Sequence, residues 1–185
     1  MDKKNLKPKI SVFLATSLDG YIATEEGNLD WLDVVYMNDE DFGFRNFLLN
    51  IDVIVMGRKT YEVVNGFSNW PYKGKRVIVL SKTLKAVRKD AELYDGDILE
   101  LVEILGKEGA KHVWVDGGET IAEFLRLSLI ERMTVSTIPV ILGKGIPLFH
   151  KMETGCNCRL LSTHAYESGL VQNCYQLLKT EIYVQ

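Results

Sequence analysis

The sequence predicts an α/β fold built on a mixed β-sheet, and two observations support this fold class. Short apolar runs rich in Val and Ile, typical of buried strands, alternate with helical patterns along the first two thirds of the chain. In the last third, strand-like segments adjoin each other across Ser168-Gly169. Because alternating strands and helices form parallel sheets and adjoining strands form hairpins, we expect a mostly parallel sheet that ends in an antiparallel hairpin.

Four apolar runs are the predicted parallel strands. They are Ile10 to Ala15, Val53 to Met56, Val77 to Leu80 and His112 to Val115. A continuous apolar run of this length fits a strand that is covered on both faces of the sheet. We therefore expect helices on both sides of the sheet.

Three helices follow from apolar residues at helical spacing. The first spans Phe44 to Ile51, and the second spans Ile98 to Leu105 behind Asp97, a predicted N-cap with Glu100 three residues later. The third begins near Glu119 and should bury Ile121, Phe124 and Leu125.

The last third of the chain predicts three further strands. They are Met133 to Val140, Leu160 to Tyr166 and Val171 to Leu178. The last two flank Ser168-Gly169, so they form the hairpin that closes one edge of the sheet.

Composition narrows the function classes. With 185 residues, 46% of them hydrophobic and 25% charged, the chain fits one domain over residues 1–185. A formal net charge of -3 without a basic cluster argues against nucleic-acid binding. The start of the chain does not resemble a secretory signal, and no apolar run reaches the roughly 20 residues that span a bilayer, so a cytoplasmic location is expected. Three cysteines without further ligands at metal-binding spacing predict reduced thiols and no metal site.

Three strand ends carry groups that suit an anion. They are Gly57-Arg58-Lys59-Thr60 after the second strand, Leu80-Ser81-Lys82 after the third, and Gly117-Gly118-Glu119-Thr120 after the fourth. Glycine allows close backbone approach, and the free amides of a helix N-terminus favour phosphate. Each junction alone could be an ordinary turn. Three such junctions on neighbouring strands predict a ligand site at the carboxyl edge of the sheet.

Several familiar motifs are missing. The sequence contains neither the dinucleotide fingerprint G-x-G-x-x-G nor the phosphate-binding loop G-x-x-x-x-G-K-[ST]. It also lacks the G-x-S-x-G elbow of hydrolases and the H-E-x-x-H zinc helix. A standard Rossmann dehydrogenase, an NTPase and these two hydrolase classes are therefore disfavoured.

The three junctions resemble, in order and spacing, the NADPH-binding segments of dihydrofolate reductase. Residues 17–23, SLDGYIA, and 139–149, PVILGKGIPLF, resemble the reductase domain of the riboflavin-pathway deaminase-reductase. The similarity runs from about Lys9 to Leu178. It implies a dihydrofolate reductase-like mixed sheet of about eight strands flanked by about four helices, with NADPH across its carboxyl edge and a homodimer as the assembly.

The resemblance also implies a role for each site residue. Arg58 and Ser81-Lys82, after Leu80, would hold the 2′-phosphate of NADPH, and a guanidinium suits that phosphate better than the bare ribose hydroxyl of NADH. Ala15 and Ile22 would border the nicotinamide. The Gly117-Gly118 peptide bond is expected to be cis. The pyrophosphate would be held at the two glycine junctions by Gly57, Lys59, Thr60, Gly117, Gly118, Glu119, Thr120 and Ile121.

Two carboxyls compete for the role of proton donor. Counting back from Met56 places Asp41 where dihydrofolate reductase carries its acid, and the residue falls within the apolar stripe of the first helix, where partial burial would raise its pKa. Alternatively, Asp41 lies in an exposed first turn and pairs with Arg45. Asp19, in the Ser-Leu-Asp-Gly segment, would contact substrate or would only shape a turn before Gly20.

The substrate is expected to be a small planar ring such as a pteridine or a pyrimidine. Trp31 would line its pocket or would only fill the core. The Pro-Trp-x-Leu-Pro-x-Asp run of dihydrofolate reductases is missing, which disfavours folate, and no deaminase motif accompanies the reductase segments. A stand-alone reductase of 5-amino-6-(5-phosphoribosylamino)uracil is possible. The alternative is a non-catalytic NADPH-binding or interaction protein on the same scaffold.

Overall fold

The computed structural model describes residues 7–36, 40–149 and 154–183 of the chain. Its strands and helices alternate as the sequence predicts, with additional short strands. The strands are β1 (Lys9–Thr16), β2 (Tyr21–Ala23), β3 (Val53–Gly57), β4 (Arg76–Leu80), β5 (Glu92–Tyr94), β6 (His112–Asp116), β7 (Arg132–Thr137), β8 (Ile146–Pro147), β9 (Thr154–Ala165) and β10 (Val171–Tyr183). The helices are α1 (Phe44–Leu49), α2 (Arg58–Asn65), α3 (Ile98–Lys107) and α4 (Gly118–Arg126), with a 3-10 helix at Asp30–Val35.

Eight strands form one mixed sheet in the order β5-β4-β3-β6-β1-β7-β10-β9. The first six run parallel, and β10 and β9 pair antiparallel at one edge. The predicted fold class is therefore confirmed. Strands β2 and β8 form a separate two-stranded sheet.

Side chains of the parallel strands alternate between two apolar layers. Val53 and Val55 of β3 face the layer that holds α3 and α4, whereas Ile54 and Met56 face the layer that holds α1 and α2. Because both faces are covered, nearly every residue of these strands is apolar. The layered packing carries the loops at the carboxyl ends of β3, β4 and β6 on a rigid support.

Helix α3 begins as its capping residue predicts. The Asp97 side chain accepts hydrogen bonds from the backbone N–H groups of Leu99 at 2.7 Å and Glu100 at 3.1 Å. These contacts satisfy two amides that a helix start otherwise leaves unpaired. The predicted N-cap is confirmed.

Several predicted boundaries differ from the structure: α1 ends at Leu49 rather than Ile51, β10 continues to Tyr183 rather than Leu178, and β7 and β9 differ for identifiable reasons. Strand β7 ends at Thr137 rather than at Val140, since Pro139 has no N–H to continue the strand ladder. Strand β9 begins at Thr154, six residues before the predicted start at Leu160. The apolar pattern missed this part of the strand because most residues of β9 are exposed and do not form an apolar run. Among the described residues no helix has the length and apolar character needed to cross a bilayer.

Candidate active site

The three junctions that carry groups suited to an anion, at the ends of β3, β4 and β6, lie side by side. Gly57 pairs with Leu80 across β3 and β4, and Met56 pairs with Asp116 across β3 and β6. All three strands are parallel, so their carboxyl ends meet at one edge of the sheet. The structure therefore brings together the groups that the sequence placed on separate segments.

Helices α2 and α4 begin without side-chain caps. Their N-cap residues are Gly57 and Gly117, and neither has a side chain that could accept from the first-turn amides. Helix α3 differs, because Asp97 occupies that role. Open amides and the positive end of the helix dipole make the starts of α2 and α4 suited to an anion such as a pyrophosphate.

The starts of α2 and α4 pack closely together, because the N-cap glycine of each helix faces a threonine of the other. A Cβ on Gly117 would lie 2.1 Å from Thr60 Oγ1, and a Cβ on Gly57 would lie 2.7 Å from Thr120 Oγ1. Gly117 also has φ +92°, a conformation that other residues rarely adopt. Only glycine fits either position without displacing the facing threonine side chain. The glycines and threonines therefore pack the two uncapped helix starts against each other, and this pair of helix starts is called the cradle below.

The Gly117-Gly118 peptide bond is not cis. No cis peptide bond occurs in the described parts of the chain, so the expectation from the family resemblance is wrong for this structure. The turn into α4 is made instead by the positive φ of Gly117, whose N–H donates to Asp116 Oδ1 at 2.9 Å.

Basic side chains surround the cradle. Lys59 Nζ lies 2.8 Å from Glu119 Oε1 and joins the first turns of α2 and α4. Arg58 donates from Nη1 to Thr83 Oγ1 at 3.5 Å, and Thr83 N in turn donates to Ser81 Oγ at 3.2 Å. Arg58, Lys82 and the Ser81 turn thus occupy one corner of the edge, as a site for a phosphate monoester requires.

Asp116 is a titratable group that sequence reasoning did not select. It ends β6 immediately before the glycine pair. Burial raises the pKa of its carboxyl to about 6, although the hydrogen bond from Gly117 N opposes the shift. The alternation of β6 predicts that Asp116 faces the α1 and α2 layer with Trp114, and this pattern could have drawn attention to a charged residue there.

A cavity of about 460 Å³ opens at the carboxyl ends of β1 and β7, beside the β6 junction. Its wall is mainly apolar, with three charged residues. The lining residues are Phe13, Leu14, Ala15, Leu32, Val35, Tyr36, Glu40, Asp41, Phe42, Phe44, Arg45, Ser136, Ile138 and Leu170. Its volume and mixed lining suit a small planar molecule.

Of the predicted substrate residues, Asp41 lies in the cavity wall. Its carboxylate accepts hydrogen bonds from Gly43 N at 3.1 Å and Arg45 N at 2.9 Å, and the Arg45 Nε lies 3.6 Å from Oδ2. The ion pair with Arg45 is therefore confirmed. The Asp41 side chain, which is 30% exposed, stabilises the start of α1 through these hydrogen bonds. It also lines the cavity.

Asp19 lies outside the cavity lining and ties two loops together. It accepts the Ser17 hydroxyl at 2.7 Å, Leu142 N at 3.1 Å and Gly143 N at 2.7 Å. The Ser17 hydroxyl, followed by the two backbone amides, holds the pKa of the Asp19 carboxyl below its ordinary value. The Asp19 carboxylate thus joins the loop after Ser17 to the loop at Leu142 and Gly143.

The Asp19 contacts lead to a prediction. In Asp19→Asn, we expect the Leu142 and Gly143 amides to exchange faster with deuterium, because an amide oxygen is a weaker acceptor than a carboxylate. In the unmodified protein this protection is present above the ordinary aspartate pKa of 3.8 and is lost as the pH falls through the lower folded value. The Gly109 amide, which donates to Gly106 O, is the internal control. Unchanged exchange at Leu142 and Gly143 would show that the tether is unimportant.

Trp31, Ala15 and Ile22 occupy different positions around the site. Trp31 packs in the cluster that contains Phe42 and Leu170 and is not among the cavity-lining residues, and its buried Nε1 has no hydrogen-bond partner among the residues that the structure describes. Ala15 lines the cavity itself. Ile22 packs against the core on the α3 and α4 side. Trp31 therefore supports the wall, whereas Ala15 contacts the cavity directly.

Ser136, Gln172 and Phe42 are site residues that sequence reasoning missed. Gln172 Nε2 donates to Phe42 O at 3.0 Å and to Ser136 Oγ at 2.9 Å. Phe42 has φ 53°, which is uncommon for a non-glycine residue. Such backbone conformations occur often at active sites and ligand-binding sites. These residues come from distant segments, and no local pattern predicts that they meet.

Comparison with known proteins gives consistent matches. The family model described as RibD C-terminal domain matches residues 8–172. The Bacillus subtilis (strain 168) protein YyaP, which is uncharacterized, is 33% identical over 92% of this chain and 96% of its own length. A Shewanella sp. PV-4 protein with a provisional assignment to riboflavin biosynthesis has a crystal structure with a TM-score of 0.88 and 36% identity, covering 92% of this chain and 99% of that one.

A more distant match shows the shared fold. The Thermotoga maritima diaminohydroxyphosphoribosylaminopyrimidine deaminase/5-amino-6-(5-phosphoribosylamino)uracil reductase has a TM-score of 0.72 at 14% identity. The match covers 93% of this chain and 57% of the Thermotoga chain.

Proposed function

The chain belongs to the RibD C-terminal domain family, and on that basis we propose that it is an NADPH-dependent reductase that transfers a hydride to a small planar heterocycle. The observation that carries the proposal is the geometry of the sheet edge. Two uncapped helix starts and one basic corner lie at the same edge of the sheet as a cavity of about 460 Å³ that opens at β1 and β7. In this proposal residues 1–185 act as a single reductase domain.

The residues at the edge fit NADPH. The uncapped starts of α2 and α4 lie together at the cradle, so their first-turn amides could bind one pyrophosphate between them. Arg58, Ser81 and Lys82 would hold the 2′-phosphate, and Lys59 would leave Glu119 to contact the pyrophosphate. Bound NADPH supplies the hydride. The chain's own contribution is to orient the cofactor beside Ala15 and to exclude water from the cavity.

Asp41 is the better of the two proposed proton donors. It lines the cavity, whereas Asp19 lies outside the cavity lining and bonds Ser17, Leu142 and Gly143. In the proposed reaction Asp41 relays a proton from water to the reduced ring, and its carboxylate stays paired with Arg45. The homodimer and the cytoplasmic location stay predictions from the sequence.

Calorimetry with the two nicotinamide cofactors tests the proposal. The protein is expected to bind NADPH more tightly than NADH, and Arg58→Ala should weaken NADPH about tenfold while leaving NADH nearly unchanged, the scale of a lost charge-assisted contact. Arg159→Ala, which removes the same charge from β9 at the opposite edge of the sheet, is the matched control. An equal loss for both cofactors would contradict the role of Arg58. Absence of NADPH binding at millimolar concentration would contradict the function, and binding without turnover of any planar ring would favour the non-catalytic alternative.

A further inference from the structure

A hydrogen-bond link from β10 fixes one wall of the cavity. The side-chain nitrogen of Gln172 contacts both Phe42 O and Ser136 Oγ, at 3.0 Å and 2.9 Å. A backbone carbonyl can only accept a hydrogen bond and an amide nitrogen can only donate one, so the contact with Phe42 fixes the orientation of the Gln172 amide. Ser136 Oγ must therefore accept from Gln172, and its own proton points elsewhere.

Ser136 is a buried hydroxyl on the cavity wall. It is 4% exposed, lies beside Ala15 of β1 and Gln172 of β10, and lines the cavity with Ala15. Within residues 7–36, 40–149 and 154–183 no group accepts its hydroxyl proton. A buried donor without an acceptor is costly, by about 1 to 3 kcal/mol in general, so a hydroxyl retained here suits a ligand that carries an acceptor.

The charges at the cavity disfavour a phosphate. Its charged lining residues are Glu40, Asp41 and Arg45, and Arg45 is paired with Asp41 while 81% of its side chain is exposed. Glu40 Oε1 accepts from Phe42 N at 3.0 Å, which keeps a carboxylate at the wall. In the part of the chain that the structure describes, the lining therefore offers no cation that a phosphate could bind without competing with Asp41.

We infer that the cavity binds an unphosphorylated planar ring whose carbonyl oxygen or imine nitrogen accepts a hydrogen bond from Ser136, with Gln172 as the residue that positions the Ser136 hydroxyl. The inference rests on the proposed reductase function and narrows its substrate class. It separates this chain from a reductase of phosphoribosyl compounds. The two sites would thus bind different groups: the junctions at the carboxyl ends of β3, β4 and β6 would bind the phosphates of NADPH, and the cavity would bind a neutral ring.

A matched pair of compounds tests the exclusion of phosphate. The probes are 5-amino-6-(ribosylamino)uracil and its 5′-phosphate, which differ only in the phosphate group. With NADP+ at saturation, which cannot donate a hydride, we expect the unphosphorylated compound to bind at least tenfold more tightly by calorimetry, and with NADPH we expect it to be reduced with the higher kcat/KM. Equal or tighter binding of the phosphate, or binding of neither compound, overturns the inference.

Substitutions at the hydrogen-bond link test the donor. Ser136→Ala should lower the affinity for the unphosphorylated uracil about fivefold to twentyfold, the loss expected for one buried hydrogen bond. Gln172→Glu should give a similar loss, because a carboxylate accepts the Ser136 proton and withdraws it from the ligand. Adding Ser136→Ala to Gln172→Glu should then cause little further loss, a result that a merely structural role of Gln172 would not produce.

Controls separate this inference from the proposed function. NADPH affinity should stay within twofold in all three variants. Ser11→Ala removes another buried hydroxyl, which is hydrogen-bonded to His112 on the same sheet. This variant should bind 5-amino-6-(ribosylamino)uracil as the unmodified protein does. Wild-type affinity for the uracil in Ser136→Ala would overturn the inference while leaving cofactor binding intact. Conversely, if the unmodified protein does not bind NADPH, the proposed function is wrong. Binding of 5-amino-6-(ribosylamino)uracil to the cofactor-free protein would still test the role of Ser136. If Gln172→Glu fails to fold, as circular dichroism would show, Ser136→Ala decides the matter alone.

Discussion

Gly117→Ala is expected to destabilise the protein by about 3 kcal/mol or more and to prevent NADPH binding. Two costs combine. A non-glycine residue at φ +92° is strained by about 1 to 3 kcal/mol, and a Cβ there collides with Thr60 Oγ1 and displaces the Thr60 side chain, at a typical overpacking cost of about 1 to 3 kcal/mol. Urea unfolding measures the loss of stability, and calorimetry measures the loss of NADPH binding.

Two further variants separate strain from crowding. Gly109→Ala also has a positive φ, of +90°, but a Cβ there meets nothing within 4 Å, so it should show the strain alone. Thr60→Ala removes the oxygen closest to the new Cβ and should recover part of the stability lost in Gly117→Ala. If Gly117→Ala were no more harmful than Gly109→Ala, the close contact between the two helix starts would not exist in solution.

Asp116→Asn is expected to stabilise the protein at pH 7.5 by up to about 3 kcal/mol. Burial raises the pKa of this carboxyl from 3.8 to about 6, and each pKa unit corresponds to about 1.4 kcal/mol. Asparagine has nearly the same shape, keeps an oxygen that can accept from Gly117 N, and has no charge to desolvate. The free energy of unfolding as a function of pH measures the effect.

The sign of the pH dependence follows from proton binding. Below pH 3.8 the Asp116 carboxyl is protonated in both the folded and the unfolded chain, so the aspartate and asparagine proteins should differ little. Between pH 3.8 and 6 the folded chain keeps the proton that the unfolded chain loses, and the stability contributed by this residue falls as the pH rises. Above pH 6 the advantage of Asp116→Asn reaches its full value.

A second aspartate gives an opposite control. The Asp52 carboxylate accepts hydrogen bonds from Lys111 N at 2.8 Å and His112 N at 2.9 Å. Its burial would raise its pKa, but these two backbone bonds prevail and hold the pKa below the ordinary value. Asp52→Asn should therefore destabilise the protein at neutral pH. A loss of stability in Asp116→Asn as well would mean that the Asp116 carboxylate has a partner that stabilises its charge.

The sheet edge proposed to bind the cofactor was largely predictable from the sequence because each of its parts is local. A glycine or a serine at the end of an apolar run marks a strand end, and strands separated by helices must run parallel. Gly57, Leu80 and Gly117 therefore had to share one edge, although their order in the sheet was not specified. The cis bond at Gly117-Gly118 was expected from resemblance alone, and the structure has a positive φ there instead.

The substrate side was less predictable because its residues meet only through strand pairing. Gln172 and Phe42 are 130 residues apart, and the link between them depends on β10 pairing with β7. Asp41 and Asp19 could not be ranked from spacing. Their different surroundings, a cavity wall for Asp41 and two loop amides with a serine for Asp19, separated them.

By itself the sequence determined the α/β class, the strand ends that carry groups suited to an anion and the capped start of α3, since apolar periodicity and capping act over a few residues. The tertiary structure alone decided the orientation of Gln172, the role of Ser136 Oγ as its acceptor and the raised pKa of Asp116. Hydrogen-bond polarity and desolvation depend on which atoms surround a group, and those atoms come from strands that are distant in the chain.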